Sequence, residues 1–330
     1  MSDEILEKLI KDALDLDQKV YTFVWHGGEP LLAGLDFFKK VVAYQKKYNF
    51  HSGLIDNRIQ TNGLLITDEW LDFFVQNNFI VGISIDGPAM VHNRYRKDAN
   101  GEGTFDRVMK NIRKAQARGL EVGVIAVVTS FSANFPDEIY RFFISNRLKK
   151  LTFNPAFEID CNGKVADFSV SPDDYTRFLI RVIELWAEND DPEIKIRQIH
   201  EPLRGLIFGR PTVCTYCGGC AQSIDVFPNG DVAPCHESIG NKFFILGNIT
   251  NRSLREILSG IAYKTYESYA KDMPRACEVC HWFAICHGGC GHHRRLIAAC
   301  GQLEKYVYCD SRKKVFEVLE EKIKKFHQLQ

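Results

Sequence analysis

Short apolar runs alternate with longer amphipathic stretches over the first 155 residues. Runs rich in β-branched and aromatic residues, several ending in turn residues, predict strands at 20–25, 57–61, 79–86, 122–128 and 150–154. Apolar positions at helical spacing between them predict helices near 3–14, 36–48, 68–77, 104–118 and 135–146, with N-caps at Asp68 and Thr104. Strands alternating with helices imply parallel strands with right-handed crossovers, an α/β barrel, whose chemistry belongs on loops at the C-terminal strand ends. Three polar motifs fall there: His26-Gly27-Gly28-Glu29-Pro30, Gln60-Thr61-Asn62-Gly63 and Ser84-Ile85-Asp86-Gly87-Pro88.

The first helix opens on Ser2 as N-cap, with Asp3 and Glu4 at its positive end and Ile5, Leu6, Leu9, Ile10 and Ala13 as an apolar stripe. A barrel should supply a strand before this crossover helix. None is present, so the fold class is α/β: a partial barrel lacking its first strand. Asp173 to Glu188 reads as a further amphipathic helix. Pro202, Gly205, Gly209 and Pro211 break the pattern and place a boundary there, giving a barrel at 1–200 and a small cysteine-rich domain at 201–330. Residues 223–234 form a hairpin around Asn229-Gly230. Helices are expected at 254–270 and 310–327.

Lys+Arg and Asp+Glu both count 42 in 330 residues. That zero net charge argues against nucleic acid as partner, which requires a basic excess. No apolar run is long enough for a membrane span. Long helix and strand patterns around the cysteines fit a reducing, cytoplasmic compartment rather than a disulfide framework.

Eight of the eleven cysteines form two patterns. Cys214, Cys220 and Cys235 make the first. Cys277-x2-Cys280-x5-Cys286-x3-Cys290, followed by Cys309, makes the second, with Gly288 and Gly289 allowing tight wrapping. Soft thiolates at such spacings hold iron–sulfur clusters or zinc, and spacing alone leaves the metal open. Cys161, Cys217 and Cys300 read as small apolar residues. His292-His293-Arg294-Arg295 reads by default as a solvated basic turn, and more sharply as cations beside an anionic cluster. Upstream, Gly27 and Gly28 permit close backbone approach to a ligand, and Glu29 offers acceptors to a cationic amino group. Ser84, Asp86, His92, Arg94 and Arg96 cluster at the barrel mouth, where arginine forks suit a carboxylate.

These residues together resemble the radical S-adenosylmethionine (SAM) enzymes with a SPASM extension, and most closely the anaerobic sulfatase-maturating enzymes. The resemblance rests on Trp25-His-Gly-Gly-Glu-Pro-Leu-Leu-Ala-Gly34, Ile59-Gln-Thr-Asn-Gly63, Val81-Gly-Ile-Ser-Ile-Asp-Gly-Pro88 and the eight patterned cysteines. It implies a partial (β/α)6 barrel, and a SAM site lined by Gly27, Gly28, Glu29, Ser84 and Arg96, with His26 beside it. It implies two auxiliary 4Fe–4S clusters, one on Cys214, Cys220, Cys235 and Cys290, the other on Cys277, Cys280, Cys286 and Cys309. A peptide or protein substrate and a flavodoxin- or ferredoxin-type electron donor follow from the same resemblance.

Two departures stand out. Residues 1–160 contain no cysteine, so the family's CxxxCxxC loop for the SAM-cleaving cluster is absent, and a third cluster is expected only with an N-terminal segment that carries it. The reading favours a start internal to a longer gene over a degenerate enzyme. After Cys235, where sulfatase maturases carry an Asp resembling a general base, this chain has His236-Glu237. Both become candidates for the base. The expected activity is radical oxidation of a peptide side chain, of the Cys or Ser to formylglycine type. The rivals are a non-catalytic iron–sulfur peptide-binding protein and a zinc-stapled structural protein.

Overall fold

The computed structural model describes all residues except 160–163, 221, 237–243, 297–304 and 329–330, together with the side chains of 295, 296 and 326–328. Cys161, Cys300 and Glu237 therefore lie outside the described residues.

Six strands form the main sheet: β1 (Val20–Trp25), β2 (Leu54–Thr61), β3 (Ile80–Ser84), β4 (Val122–Val128), β5 (Lys150–Pro155) and β6 (Lys195–Ile196), paired in sequence order. The registers of β1 on β2, β4 on β5 and β5 on β6 are parallel. Parallel neighbours require crossovers, and helices supply them: Leu35–Tyr48, Asp68–Gln76, Ala89–Tyr95, Phe105–Ala117, Pro136–Ser145 and Pro172–Asn189. The five expected strands are all present. β6 was not anticipated: two residues cannot display a period, and its partner β5 is completed by other means. The Gln198 side chain accepts from Phe153 N at 3.0 Å and donates to Phe153 O at 2.6 Å, standing in for a strand backbone.

Several local expectations need correction. Thr67, not Asp68, caps its helix, accepting from Trp70 N, because the extended backbone that a cap needs falls one residue earlier. The presumed break around 200–213 contains the helix Arg197–Phe208. Gly205 there is a packing residue, since a Cβ would stand 2.8 Å from Ile285, and the helix ends on Gly209 in the left-handed conformation. The expected helix at 254–270 is two, Leu254–Ser259 and Ile261–Lys271, because Gly260 is extended between them. The hairpin is present as β7 (Asp225–Val226) and β8 (Asp231–Ala233), turning on Gly230 at φ +88°, and β9 (Gly247–Asn248) adds a third antiparallel strand.

The chain separates into two compact units that interleave in sequence. The first comprises Met1–Gly82, Asn111–Glu121 and Cys220–Asp272; the second comprises Ile83–Lys110, Val122–Gly219 and Met273–Gln330. Within the first, the opening helix Asp3–Leu14 buries two adjoining faces. Leu6, Ile10 and Leu14 pack with Tyr21 and Val41, while Ile5, Leu9 and Ala13 pack against Val232, Leu254, Ile257 and their neighbours. Asp12 also accepts from Leu254 N at 3.1 Å. One helix thus serves the sheet on one side and the hairpin segment on the other. Within the second, the last helix, Cys309–Gln328, buries Val315, Phe316 and Leu319, and Tyr308 just before it donates within reach of Ala156 O and Val170 O.

Ile10 is fully buried in the first unit. Ile10→Ala should destabilise the protein by roughly 2–5 kcal/mol in denaturant titrations. An unchanged midpoint would show that this helix is not structural.

Candidate functional site

In the first unit, β1 ends at Trp25 and the chain turns through His26, Gly27 and Gly28. Gly27 (φ +90°) and Gly28 (φ +54°) occupy left-handed backbone, and nothing lies within 4 Å of where a Cβ would stand on either. Both glycines therefore front open space, which suits backbone groups presented to a ligand. Glu29 is occupied locally. Its Oε1 accepts from Leu31 N at 3.1 Å and Thr61 Oγ1 at 2.7 Å, and its Oε2 accepts from Asn62 N at 2.8 Å. The carboxylate thus ties the Gly-Gly-Glu-Pro turn to the Thr61-Asn62 turn after β2. Glu29→Gln turns an amide N–H toward one of these donors. It should destabilise the protein by about 1–3 kcal/mol, read by thermal unfolding, and no change would show that the tie is dispensable.

His26 makes a contact the sequence did not reveal. Its Nε2 lies 3.0 Å from Asp225 Oδ1 on β7, and its ring meets that of His236 edge-on, centroids 5.7 Å apart. His236 is exposed just after Cys235, beyond the end of β8. A carboxylate on one imidazole nitrogen fixes the tautomer and leaves the other nitrogen as acceptor, the arrangement that holds a mobile proton. Cys220 packs against the apolar cluster of the same hairpin segment, and Cys235 is half-buried.

In the second unit, Ser84 ends β3 and Asp86 follows it. Arg96 does meet a carboxylate in fork geometry, but it is the chain's own: Nε to Asp86 Oδ2 is 2.6 Å and Nη2 to Oδ1 is 3.0 Å, while Asp86 Oδ1 also accepts from Val127 N. Arg94 lies instead over the Phe131 ring, 4.2 Å from its centroid. His92 is fully buried. Its Nδ1 accepts from Asp86 N, and its Nε2 lies 3.0 Å from Thr104 Oγ1, which donates to Arg96 O. Thr104 is therefore tied into this loop by its side chain. Burial is the main force on His92 and pushes its pKa down to about 4, against a partial opposing pull from Asp86. The sign follows: the unfolded chain takes up this proton below about pH 6.5 and the folded chain only near pH 4. Stability is complete above pH 6.5 and falls as pH drops through this window, by about 3 kcal/mol at most. Denaturation curves across that range should show the loss, and His92→Gln should flatten it. An equally steep variant would assign the loss to other groups.

Four cysteines of the second unit line one cavity. Cys277 sits in the short helix Arg275–Glu278, Cys280 follows it, Cys286 ends the helix Phe283–Cys286, and Cys309 opens the last helix. Gly288 and Gly289 turn the chain with φ +75° and +73°; a Cβ on Gly288 would strike Met273 Sδ at 2.6 Å, and one on Gly289 would strike Tyr306 at 2.6 Å. Burial raises the pKa of both the Cys277 and the Cys309 thiols, with neighbouring cysteines adding to it. A single tetrahedral ion on thiolates at ~2.3 Å would hold its sulfurs about 3.8 Å apart. Among the described residues no three Cys, His, Asp or Glu side chains gather closely enough for one ion. Four soft thiol donors on one cavity form a donor set that suits a four-thiolate iron–sulfur cluster. Of the other four cysteines, Cys214 and Cys290 belong to this unit, and Cys220 and Cys235 to the first. Cys217 Sγ lies 3.7 Å from Thr212 O.

Two arginines contact residues that line this cavity. Arg294 is 1% exposed, so it is not part of a solvated turn; its Nη1 donates to Gly288 O and Gly289 O. Nη1 and Cys277 Sγ both lie within 3.6 Å of a Cβ built on Gly288. Arg312 is also buried, and no sequence argument singled it out. The one available signal was its place three residues after Cys309.

Comparison with known proteins bears on both halves of the chain. The Radical SAM superfamily model matches residues 1–142, and the iron–sulfur cluster-binding domain model matches residues 208–281. The chain is 34% identical over 323 residues to the cysteine-type anaerobic sulfatase-maturating enzyme of Clostridium perfringens strain 13, covering 96% of this chain and 86% of that one. It is 34% identical over 311 residues to the serine-type anaerobic sulfatase-maturating enzyme of Bacteroides thetaiotaomicron, covering 89% and 75%. Among solved structures, native anSMEcpe with bound AdoMet (SAM) and Cp18Cys peptide superposes with a TM-score of 0.92 at 32% identity, covering all of this chain and 92% of that one.

Proposed function

The chain belongs to the anaerobic sulfatase-maturating enzymes, radical SAM proteins with an iron–sulfur cluster-binding domain, and from that premise we propose that it oxidises a side chain of a peptide or protein substrate. The observation that carries this reading is the match, along the whole chain, to a relative solved with both AdoMet and a peptide. Iron–sulfur clusters and SAM binding go with both matched families. The finer assignments are ours: two auxiliary 4Fe–4S clusters on the two cysteine quartets, and SAM contacts from Gly27, Gly28, Glu29, Ser84 and Arg96 with His26 beside them. A flavodoxin- or ferredoxin-type electron donor and a division near residue 200 complete the proposal. The family-model matches fall on either side of that residue, which supports a division between family segments, whereas each compact unit draws on both sides of it. No described helix is long and apolar enough to cross a membrane.

When bound, SAM and a SAM-cleaving cluster, for which residues 1–160 supply no cysteine, would provide the radical that takes a hydrogen atom, and the two auxiliary clusters the route by which an electron leaves. The chain's own residues do the rest. Converting a CH–SH or CH–OH group to C=S or C=O removes one hydrogen atom, one proton and one electron, so the site needs a base. His236 is the proposed base, with the His26–Asp225 pair beside it to hold the proton. Glu237 is the alternative. Glu29 supports the reaction by keeping the two turns at the barrel mouth in register, and the Asp86–Arg96 fork orders the turn that carries Ser84.

The test uses the full-length gene product, loaded with iron and sulfide without oxygen, with SAM, a reductant and sulfatase peptides carrying Cys or Ser. Mass spectrometry should show a formylglycine-type aldehyde on one of the two peptides, formed directly from Ser, or from Cys once water hydrolyses the thioaldehyde and hydrogen sulfide leaves. Reductive release of 5′-deoxyadenosine with neither peptide changed would refute the sulfatase-type substrate. Absence of any release would favour the non-catalytic peptide-binding rival. His236→Ala should leave 5′-deoxyadenosine release largely intact and lower product by about 100-fold or more. If both fall together with iron content, His236 is structural.

A further inference from the structure

Arg312 is buried, yet among the described residues no carboxylate pairs with it. Its guanidinium lies between two rings, 4.1 Å from the Tyr216 centroid and 4.6 Å from that of Tyr306. Its Nη1 donates to Thr215 O and points to Cys286 Sγ at 3.9 Å. Placing a guanidinium in such surroundings costs several kcal/mol unless an anion offsets it. Ring faces and a carbonyl contribute partial negative charge only. Burial pushes both phenols up, so among the described residues the contact that readily becomes anionic is the sulfur of Cys286, which lines the four-cysteine cavity. A thiolate-bound cluster carries net negative charge, and each electron it accepts adds to that charge.

We propose that Arg312 sets the reduction potential of the cluster held by Cys277, Cys280, Cys286 and Cys309, raising it so that this cluster is the favoured resting place for the electron removed from substrate. The inference rests on the iron–sulfur reading above. Its physical basis is direct: a buried cation and an N–H directed at a ligand sulfur stabilise the reduced, more negative state more than the oxidised one. Solvent screens only part of this, because the guanidinium is buried and Cys286 is half-buried. Three further cations act in the same sense. Arg294 shares the edge of Gly288 with Cys277, and Lys305 and Lys313 line the cavity. Arg312 is the strongest of the four because its contact with the ligand sulfur is direct and it is the one sandwiched between rings. It touches neither substrate nor reacting atoms, so it acts as a positioning residue for the electron.

The test is a redox titration of the anaerobically loaded full-length protein, followed by electron paramagnetic resonance, for wild type, Arg312→Lys, Arg312→Gln and Arg312→Met. Iron and sulfide are assayed on each. In the Met variant one cluster's reduced-to-oxidised ratio at a fixed potential should fall at least tenfold, about 59 mV for a one-electron couple. The other clusters should keep their midpoints, and the Lys variant should stay near wild type. If the Met variant loses iron, the Gln variant decides, since it keeps a donor and most of the volume while losing the charge. Full iron content with unshifted midpoints in the charge-neutral variants would overturn this inference alone. Zinc in place of iron in the wild type would overturn it together with the reading on which it rests.

Discussion

Four cysteine side chains facing one cavity are the constraint on which the second unit depends. The segments that carry Cys277 and Cys286, Arg275–Glu278 and Phe283–Cys286, are single-turn helices, far too short to be stable by propensity. Aromatic packing helps, with Tyr216, Ile285 and Phe316 forming a small core beneath them. Even so, two glycines with positive φ and two buried arginines concentrated within this region are costly features. A multi-thiolate cluster would repay them by linking Cys277, Cys280 and Cys286 to Cys309 at the head of the last helix. Structure and cofactor would then be one problem: the cluster closes the fold, and the fold surrounds the cluster with positive charge.

The first unit answers a different demand. Glu29 spends its carboxylate on three donors from the neighbouring turns, leaving Gly27 and Gly28 facing open space. His26, one residue earlier, turns to Asp225 and His236. A position next to the glycine turn and a position next to a proposed cluster ligand thus meet ring to ring, with Asp225 holding the Nε2 side of the His26 imidazole. That juxtaposition suits a reaction in which a hydrogen atom and a proton leave the same substrate group.

Much of this was legible in the sequence, for physical reasons. β4 reads Val-Gly-Val-Ile-Ala-Val-Val and alternates between buried and half-buried positions along its whole length, so its pattern announces it. The opening helix showed its cap, its acidic first turn and its stripe, although not that the stripe divides between two partners. The cysteine spacings drew attention to Cys277, Cys280 and Cys286, whereas their grouping with Cys309 rather than Cys290 came from the family resemblance, not from spacing. What stayed hidden depends on long-range contact. β6 and β9 are two residues each and exist only through their partners. Pro202 and Gly205 looked like breakers because a sequence cannot show Ile285 closing on a glycine. Arg312 sits on an amphipathic helix where a basic residue normally faces water, and nothing local signals that two tyrosines enclose it. The same holds for His26, whose partner Asp225 lies nearly 200 residues on.

The central claim is that this chain is built around iron–sulfur clusters. Metal and acid-labile sulfide analysis of residues 1–330, purified and kept without oxygen and paired with Mössbauer spectra, tests it most directly. The account predicts about eight iron atoms and as many sulfides per chain, in two cubane clusters. Stoichiometric zinc without labile sulfide would contradict it.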